Sequence, residues 1–400
     1  MAHKFFKKKL DNGVTVVFEQ RKGSGVVSVA FAVPHGGIHE GFEEKGISHF
    51  IEHMLYKGTS KRNSKQISEE IEKIGGVLNG FTEEEMTAYW CKMPSKHLSV
   101  ALDVLSDMIK NPLFDSGELE KERKVIFEEM KMRRDTPQIF VFDKIQSLLF
   151  TGSLSKDLIG TEKTMGSINR EKMLERFKEI YSSNNIILCV VGDTNFEELC
   201  NFAEKNFSKV KENKINEPIV GLSNRILIDK RKGIDQANMI FAYHVPKASE
   251  SEYYTGIVLN TILAGGMSSR LFQEIREKRN LAYAVKGSCH SAKNFGYNSI
   301  YIGTSPENID KIKELILQEF DKLNVLDEKE LKDAKEQLVG NSKISREDSQ
   351  GQMVDLLYNE IYGDAARAYL YEKGIKKVKL GDVKKLAQLK DYSIIALVPE

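Results

Sequence analysis

Two stretches of this chain carry the same charged signature at the same spacing. Asp115-x-x-Glu118-Leu119, followed by Arg134-Asp135-x-x-Gln138, is matched by Asp327-x-x-Glu330-Leu331, followed by Arg346-Glu347-x-x-Gln350. The offset is constant, since 327 − 115 and 350 − 138 both equal 212. In a chain of 400 residues, self-similarity at that distance means one architecture written twice. A chain of this length also exceeds one ordinary hydrophobic core and fits two domains of about 200 residues each.

The order of elements repeats as well. In the first half, β-rich runs at 10–18 and 26–33 precede helical patterns at 47–56 and 64–74, the second stopped by Gly75-Gly76. Further β-rich runs lie near 86–93 and 186–191, and long helical patterns cover 95–110, 116–134 and 170–181. In the second half, strands at 225–228 and 239–243 precede a helix at 254–263, Gly265-Gly266 and a helix at 270–279. Strands at 283–288 and 300–302 and a helix at 308–323 follow. The polar stretch 209–218 is the natural linker, which places the domains at 1–208 and 222–400. Strands mixed with segregated helices predict two homologous α+β domains, each a largely antiparallel sheet packed with helices.

Composition narrows the function. With 59 basic and 58 acidic residues the net charge is +1, so no global field draws the chain to nucleic acid or to a membrane. The run Lys7-Lys8-Lys9 reads as a solvated strand edge. Cys91, Cys189, Cys200 and Cys289 are widely spaced, which predicts reduced thiols rather than a disulfide framework or a cysteine zinc site. The N-terminus leads into a strand without an apolar signal region, and no run reaches the ~18–20 apolar residues of a membrane span. A cytoplasmic protein is expected.

The chemistry is concentrated in His49-Phe50-Ile51-Glu52-His53. On a helix, the two histidines at i and i+4 project from one face and can bind one metal ion. Glu52 stands between them, placed to act on water without being a ligand, in an inverted form of His-Glu-x-x-His. Phe50, Ile51, Met54 and Leu55 make the helix a buried one, and a buried surface bearing His, Glu and His needs a partner such as a metal. A catalytic zinc takes three protein ligands, so a third donor must come from elsewhere. On the acidic helix 116–134, Glu118, Glu120, Glu122, Glu128 and Glu129 are all candidates.

The segment from Gly46 to Thr59 resembles the signature of the pitrilysin, insulysin and mitochondrial-processing-peptidase family, in the form of its short bacterial single-chain members. In that family a glutamate some 76 positions after the second histidine completes a zinc site. Glu129 matches it, since 129 − 53 is 76, and Glu122 matches a supporting glutamate. Gly75-Gly76-Val77-Leu78-Asn79-Gly80-Phe81-Thr82 is similar to the family's next segment. The resemblance implies that an extended peptide adds to a sheet edge there, at Asn79, Gly80, Phe81 and Thr82. Ser269-Arg270-Leu271-Phe272-x-x-x-Arg276-Glu277-x-x-x-Leu281-Ala282-Tyr283 resembles the C-terminal signature, whose Arg and Tyr, here Arg276 and Tyr283, serve the zinc site.

That resemblance further implies domains facing each other as a clamshell, peptide cleavage in a chamber between them, and a homodimer. At the offset of 212, Glu129 corresponds to Asn341 and Glu122 to Ala334, and no His-x-x-Glu-His recurs, so one zinc per chain is expected. The implied chemistry is peptide hydrolysis, with Glu52 as proton shuttle, Tyr283 at the oxyanion and Arg276 as substrate anchor. The family also includes noncatalytic subunits that have lost the metal site. Intact His49, Glu52, His53 and Glu129 argue against that alternative.

Overall fold

A computed structural model describes residues 4–209 and 215–400. Five residues of the expected linker, 210–214, lie outside that set. Among the described residues thirteen strands are present: β1 (Lys4–Lys9), β2 (Thr15–Gln20), β3 (Val26–Val33), β4 (Val77–Thr82), β5 (Thr87–Pro94), β6 (Phe150–Thr151), β7 (Ile187–Gly192), β8 (Gly221–Leu222), β9 (Ile226–Arg231), β10 (Ala237–His244), β11 (Ala282–Ser291), β12 (Gly296–Thr304) and β13 (Ser393–Pro399).

Two sheets carry the fold. The first runs β1-β2-β7-β3-β5-β4, with every neighbouring pair antiparallel except β2 and β7. The second runs β11-β12-β10-β13-β9 and is antiparallel except for β13 and β9. Reading β2-β7-β3-β5-β4 against β9-β13-β10-β12-β11 gives the same connectivity, with the single parallel pair in the same place. The duplication is therefore topological, and both sheets are largely antiparallel. β6 and β8 form a separate two-stranded ladder.

Packing divides the chain into two compact units that interleave in sequence. The first comprises Met1–Met130, Leu158–Pro218 and Ile344–Ala368; the second comprises Lys131–Asp157, Ile219–Lys343 and Tyr369–Glu400. The repeat thus marks two halves of sequence, and each unit takes one helix from the other half. Pro137–Leu149 packs on β10 and β13, burying Phe140, Val141, Ile145, Leu148 and Leu149. Its repeat equivalent, Ser349–Ile361 (137 + 212 = 349), packs on β3 and β7, burying Met353, Leu356 and Leu357.

The helix Ile47–Leu55 lies in the core of the first unit, where Phe50, Ile51, Met54 and Leu55 are fully buried. Its N-terminus is held by a carboxylate, since the Gly46 and Ser48 amides donate to Glu40 at 2.8 and 2.7 Å. An acidic group there suits the partial positive charge of a helix start. The acidic helix spans Ser116–Asp135. It is anchored by Arg123, whose guanidinium donates to the Met165 and Ile168 carbonyls and lies over the Phe50 ring at 5.4 Å.

One element differs in kind from its sequence pattern. The apolar periodicity at 270–279 predicts an α-helix, but Phe272–Glu277 is a π-helix, with the Lys278 amide donating to Gln273 O five residues back. The wider turn keeps Leu271, Phe272 and Ile275 on the buried side and leaves Arg276 half exposed.

Candidate metal centre

One turn of helix separates His49 from His53, and their rings sit 4.6 Å apart, centroid to centroid. Glu129 reaches them from the acidic helix: its Oε2 lies 3.6 Å from His49 Nε2 and 3.7 Å from His53 Nε2. Ligand atoms of the three residues all fall within 4.8 Å of one another. A tetrahedral ion with bonds of about 2.0–2.1 Å holds its donors roughly 3.4 Å apart, so these two imidazoles and one carboxylate fit a divalent metal. Among the described residues no other group of three His, Cys, Asp or Glu side chains is so arranged.

Neighbouring groups fix how those donors point. His53 Nδ1 lies 3.2 Å from Glu122 Oε2, where its N–H donates to the carboxylate and leaves Nε2 with a lone pair facing Glu129. Lys57 Nζ holds the other Glu122 oxygen at 2.7 Å. Glu122 and Glu129 are seven residues apart, two helical turns, and so share one face of their helix.

Glu52 projects beside this cluster. Thr82, the last residue of β4, donates its hydroxyl to Glu52 Oε2 at 2.7 Å. Burial raises the Glu52 carboxyl above the usual carboxylate range; Glu129 adds to the shift, while the Thr82 hydrogen bond and His53 oppose it. Of the residues expected at the sheet edge, Asn79 is exposed, Gly80 and Phe81 are partly buried and Thr82 turns inward to Glu52. Among the described residues β4 pairs only with β5 and so ends the sheet. A Cβ at residue 80 would meet the Tyr56 hydroxyl at 2.5 Å and the Ala88 carbonyl oxygen at 3.0 Å.

Sequence reasoning missed a buried ionic network beneath the metal helix. Lys45 is 2% exposed, donates to Gly37 O at 2.6 Å and lies 3.9 Å from Glu40 and 3.7 Å from Glu84. The Gly37 and Ile38 amides donate to the Glu83 and Glu84 carbonyls at 3.1 and 2.9 Å. A Cβ at position 36 would fall 1.9 Å from Glu83 O. Gly36-Gly37 was the one available signal, marking a close approach of backbone to backbone. His35 and His39 belong to this turn, with His35 Nδ1 3.1 Å from Ser48 Oγ, outside the metal cluster.

Arg276 and Tyr283 belong to the second unit. Arg276 rests its guanidinium over the Phe272 ring at 5.0 Å. Tyr283 stands at an irregularity of β11 and is 54% exposed. All four cysteines are free thiols. No helix among the described residues is long and apolar enough to cross a membrane.

Two family models match the chain: insulinase (peptidase family M16) over residues 15–162, and the peptidase M16 inactive domain over residues 167–338. The uncharacterized zinc protease YmxG of Bacillus subtilis is 33% identical across 86% of this chain and 84% of its own. The chain belongs to peptidase family M16. An uncharacterized zinc protease of Rickettsia felis is also 33% identical to this M16 chain, over 87% of it and 85% of the relative. The beta subunit of the Dictyostelium discoideum mitochondrial-processing peptidase is 28% identical over 78% and 70%. A solved protease from Helicobacter pylori shares the fold, with a TM-score of 0.91 at 21% identity over 99% of this chain and 100% of that one. Within this M16 chain, the inactive-domain match falls where no His-x-x-Glu-His recurs.

Proposed function

We propose that this M16 chain is a zinc-dependent endopeptidase that hydrolyses short or unfolded peptides, with one zinc ion held by His49, His53 and Glu129. The convergence of those three donors, with Glu122 orienting His53 and Glu52 alongside, is what supports the reading. Bound there, zinc would act as a Lewis acid on the scissile carbonyl and make a water more acidic. Glu52 accepts the proton of the attacking water and returns it to the leaving amine, a task suited to a carboxyl that burial makes a stronger base than an ordinary one. The Thr82 hydroxyl keeps the Glu52 carboxyl in one orientation.

An extended peptide adds to β4 along Asn79, Gly80 and Phe81 through main-chain hydrogen bonds, which favours unfolded substrates. Arg276 anchors substrate carbonyl or carboxylate groups and Tyr283 donates to the carbonyl oxygen as it gains charge, roles carried by the family resemblance. A cytoplasmic homodimer that encloses its substrates completes the proposal on the same ground.

The purified chain is expected to hold stoichiometric zinc and to cleave a mixed peptide library. Stripping the metal with a chelator should abolish cleavage, and about one equivalent of zinc should restore it. Cleavage at full rate by chelated, zinc-free protein would sink the reading. Glu122→Ala should weaken zinc binding about 10–100-fold in a chelator competition, because His53 loses the group that fixes its ring. Unchanged affinity would reduce Glu122 to a partner of Lys57.

A further inference from the structure

The second unit departs from regular backbone three times between Phe272 and Ala284. Phe272–Glu277 is a π-helix, Asn280 has a left-handed φ of 52°, and β11 carries a bulge. Such irregularities cost free energy and collect where a side chain must be aimed. At the bulge, Ala282 pairs with Thr304 and Ala284 pairs with Gly303, so Tyr283 is the extra residue, lifted out of the ladder.

The displaced ring lies across the neighbouring strand. A Cβ built on Gly303 would fall 2.2 Å from Tyr283 Cζ, 2.4 Å from its hydroxyl oxygen and 2.7 Å from Cε1. Gly303 is absent from the glycines with positive φ, so its own backbone does not call for glycine; the Tyr283 ring does. An exposed tyrosine ordinarily samples several rotamers; this one is seated across the backbone of Gly303.

We infer that Gly303 is a positioning residue for Tyr283, the bulge and the glycine seat together setting where its hydroxyl is offered to substrate. The inference rests on the reading above, in which Tyr283 serves the scissile carbonyl. A methyl group at 303 displaces only the far end of an exposed side chain, so Gly303→Ala moves Tyr283 without dismantling the sheet.

A double-mutant cycle on the full-length zinc-loaded chain tests it, with kcat, KM, zinc content and unfolding temperature measured for each variant. Gly303→Ala is expected to lower kcat about 10–100-fold at nearly unchanged KM, since small misplacements of a positioned group carry costs of that order. In a Tyr283→Ala background the same substitution should do nothing more, because the ring it displaces is gone. Wild-type kcat for Gly303→Ala beside an impaired Tyr283→Ala overturns the inference alone. Equal losses with and without the Tyr283 ring would mean a structural role and overturn it as well. Wild-type kcat for Tyr283→Ala overturns the reading of Tyr283 itself.

Discussion

Glu52→Gln is expected to keep zinc in place and lose peptide cleavage, with kcat falling by about 10²–10⁴-fold. Glutamine matches glutamate in shape, and its carbonyl oxygen can still accept the Thr82 hydroxyl that holds Glu52 Oε2 at 2.7 Å. What it lacks is a site that takes up a proton. Since Glu52 is not among the three clustered donors, metal content should stay stoichiometric, which separates lost chemistry from a lost site. Zinc analysis run beside cleavage of the peptide library makes the distinction. A zinc-replete variant cleaving at the wild-type rate would remove Glu52 from the reaction.

The largest effect on stability is expected at Lys45, which the mechanism does not use. Lys45→Met removes the cation between Glu40 and Glu84, leaving two buried carboxyls without their counter-charge, at a cost of about 3–5 kcal/mol. The loss should depend on pH. Burial pushes the Glu84 carboxyl up from 4.5 to about 7, with Lys45 opposing the shift and Glu40, Glu83 and Glu85 adding to it. A folded value above the unfolded one means that protonation of Glu84 contributes stability that is complete below about 4.5 and fades as pH rises through about 7. Without Lys45 that pKa climbs further, so the deficit should be smaller at pH 5 than at pH 8. Denaturant unfolding at the two pH values checks it. A pH-independent loss below about 1 kcal/mol would show that the network does not hold the helix start.

The metal residues were legible to different degrees, for physical reasons. His49, Glu52 and His53 are related by helical periodicity alone, so five consecutive residues place them on one surface. Glu129 has no local relation to them; five glutamates on its helix were equivalent candidates until the family resemblance chose among them. Thr82 could be placed at a sheet edge, but its hydrogen bond to Glu52 joins residues thirty positions apart across a strand and a helix. The Lys45 network left almost no trace, because a buried lysine looks like a solvated one until its partners are known.

The repeat was the strongest statement the residues made by themselves. It predicted two homologous α+β domains with largely antiparallel sheets and limited the metal motif to one copy, while the one parallel pair in each sheet emerged only in the structure. Pro137–Leu149 and Ser349–Ile361, which follow the repeated charged segments, each bury an apolar face. The repeat could not say against which sheet. Each follows a long helix, Ser116–Asp135 or Glu328–Ser345, of roughly 27–30 Å. Burial of apolar area has no direction, so either sheet could satisfy those faces. Packing resolved it reciprocally, setting each helix on the sheet of the other half, as it also set Glu129 against two histidines and laid Tyr283 over Gly303. Local sequence determined what most elements were, the π-helix at Phe272–Glu277 excepted; which surfaces met was decided only by the whole fold.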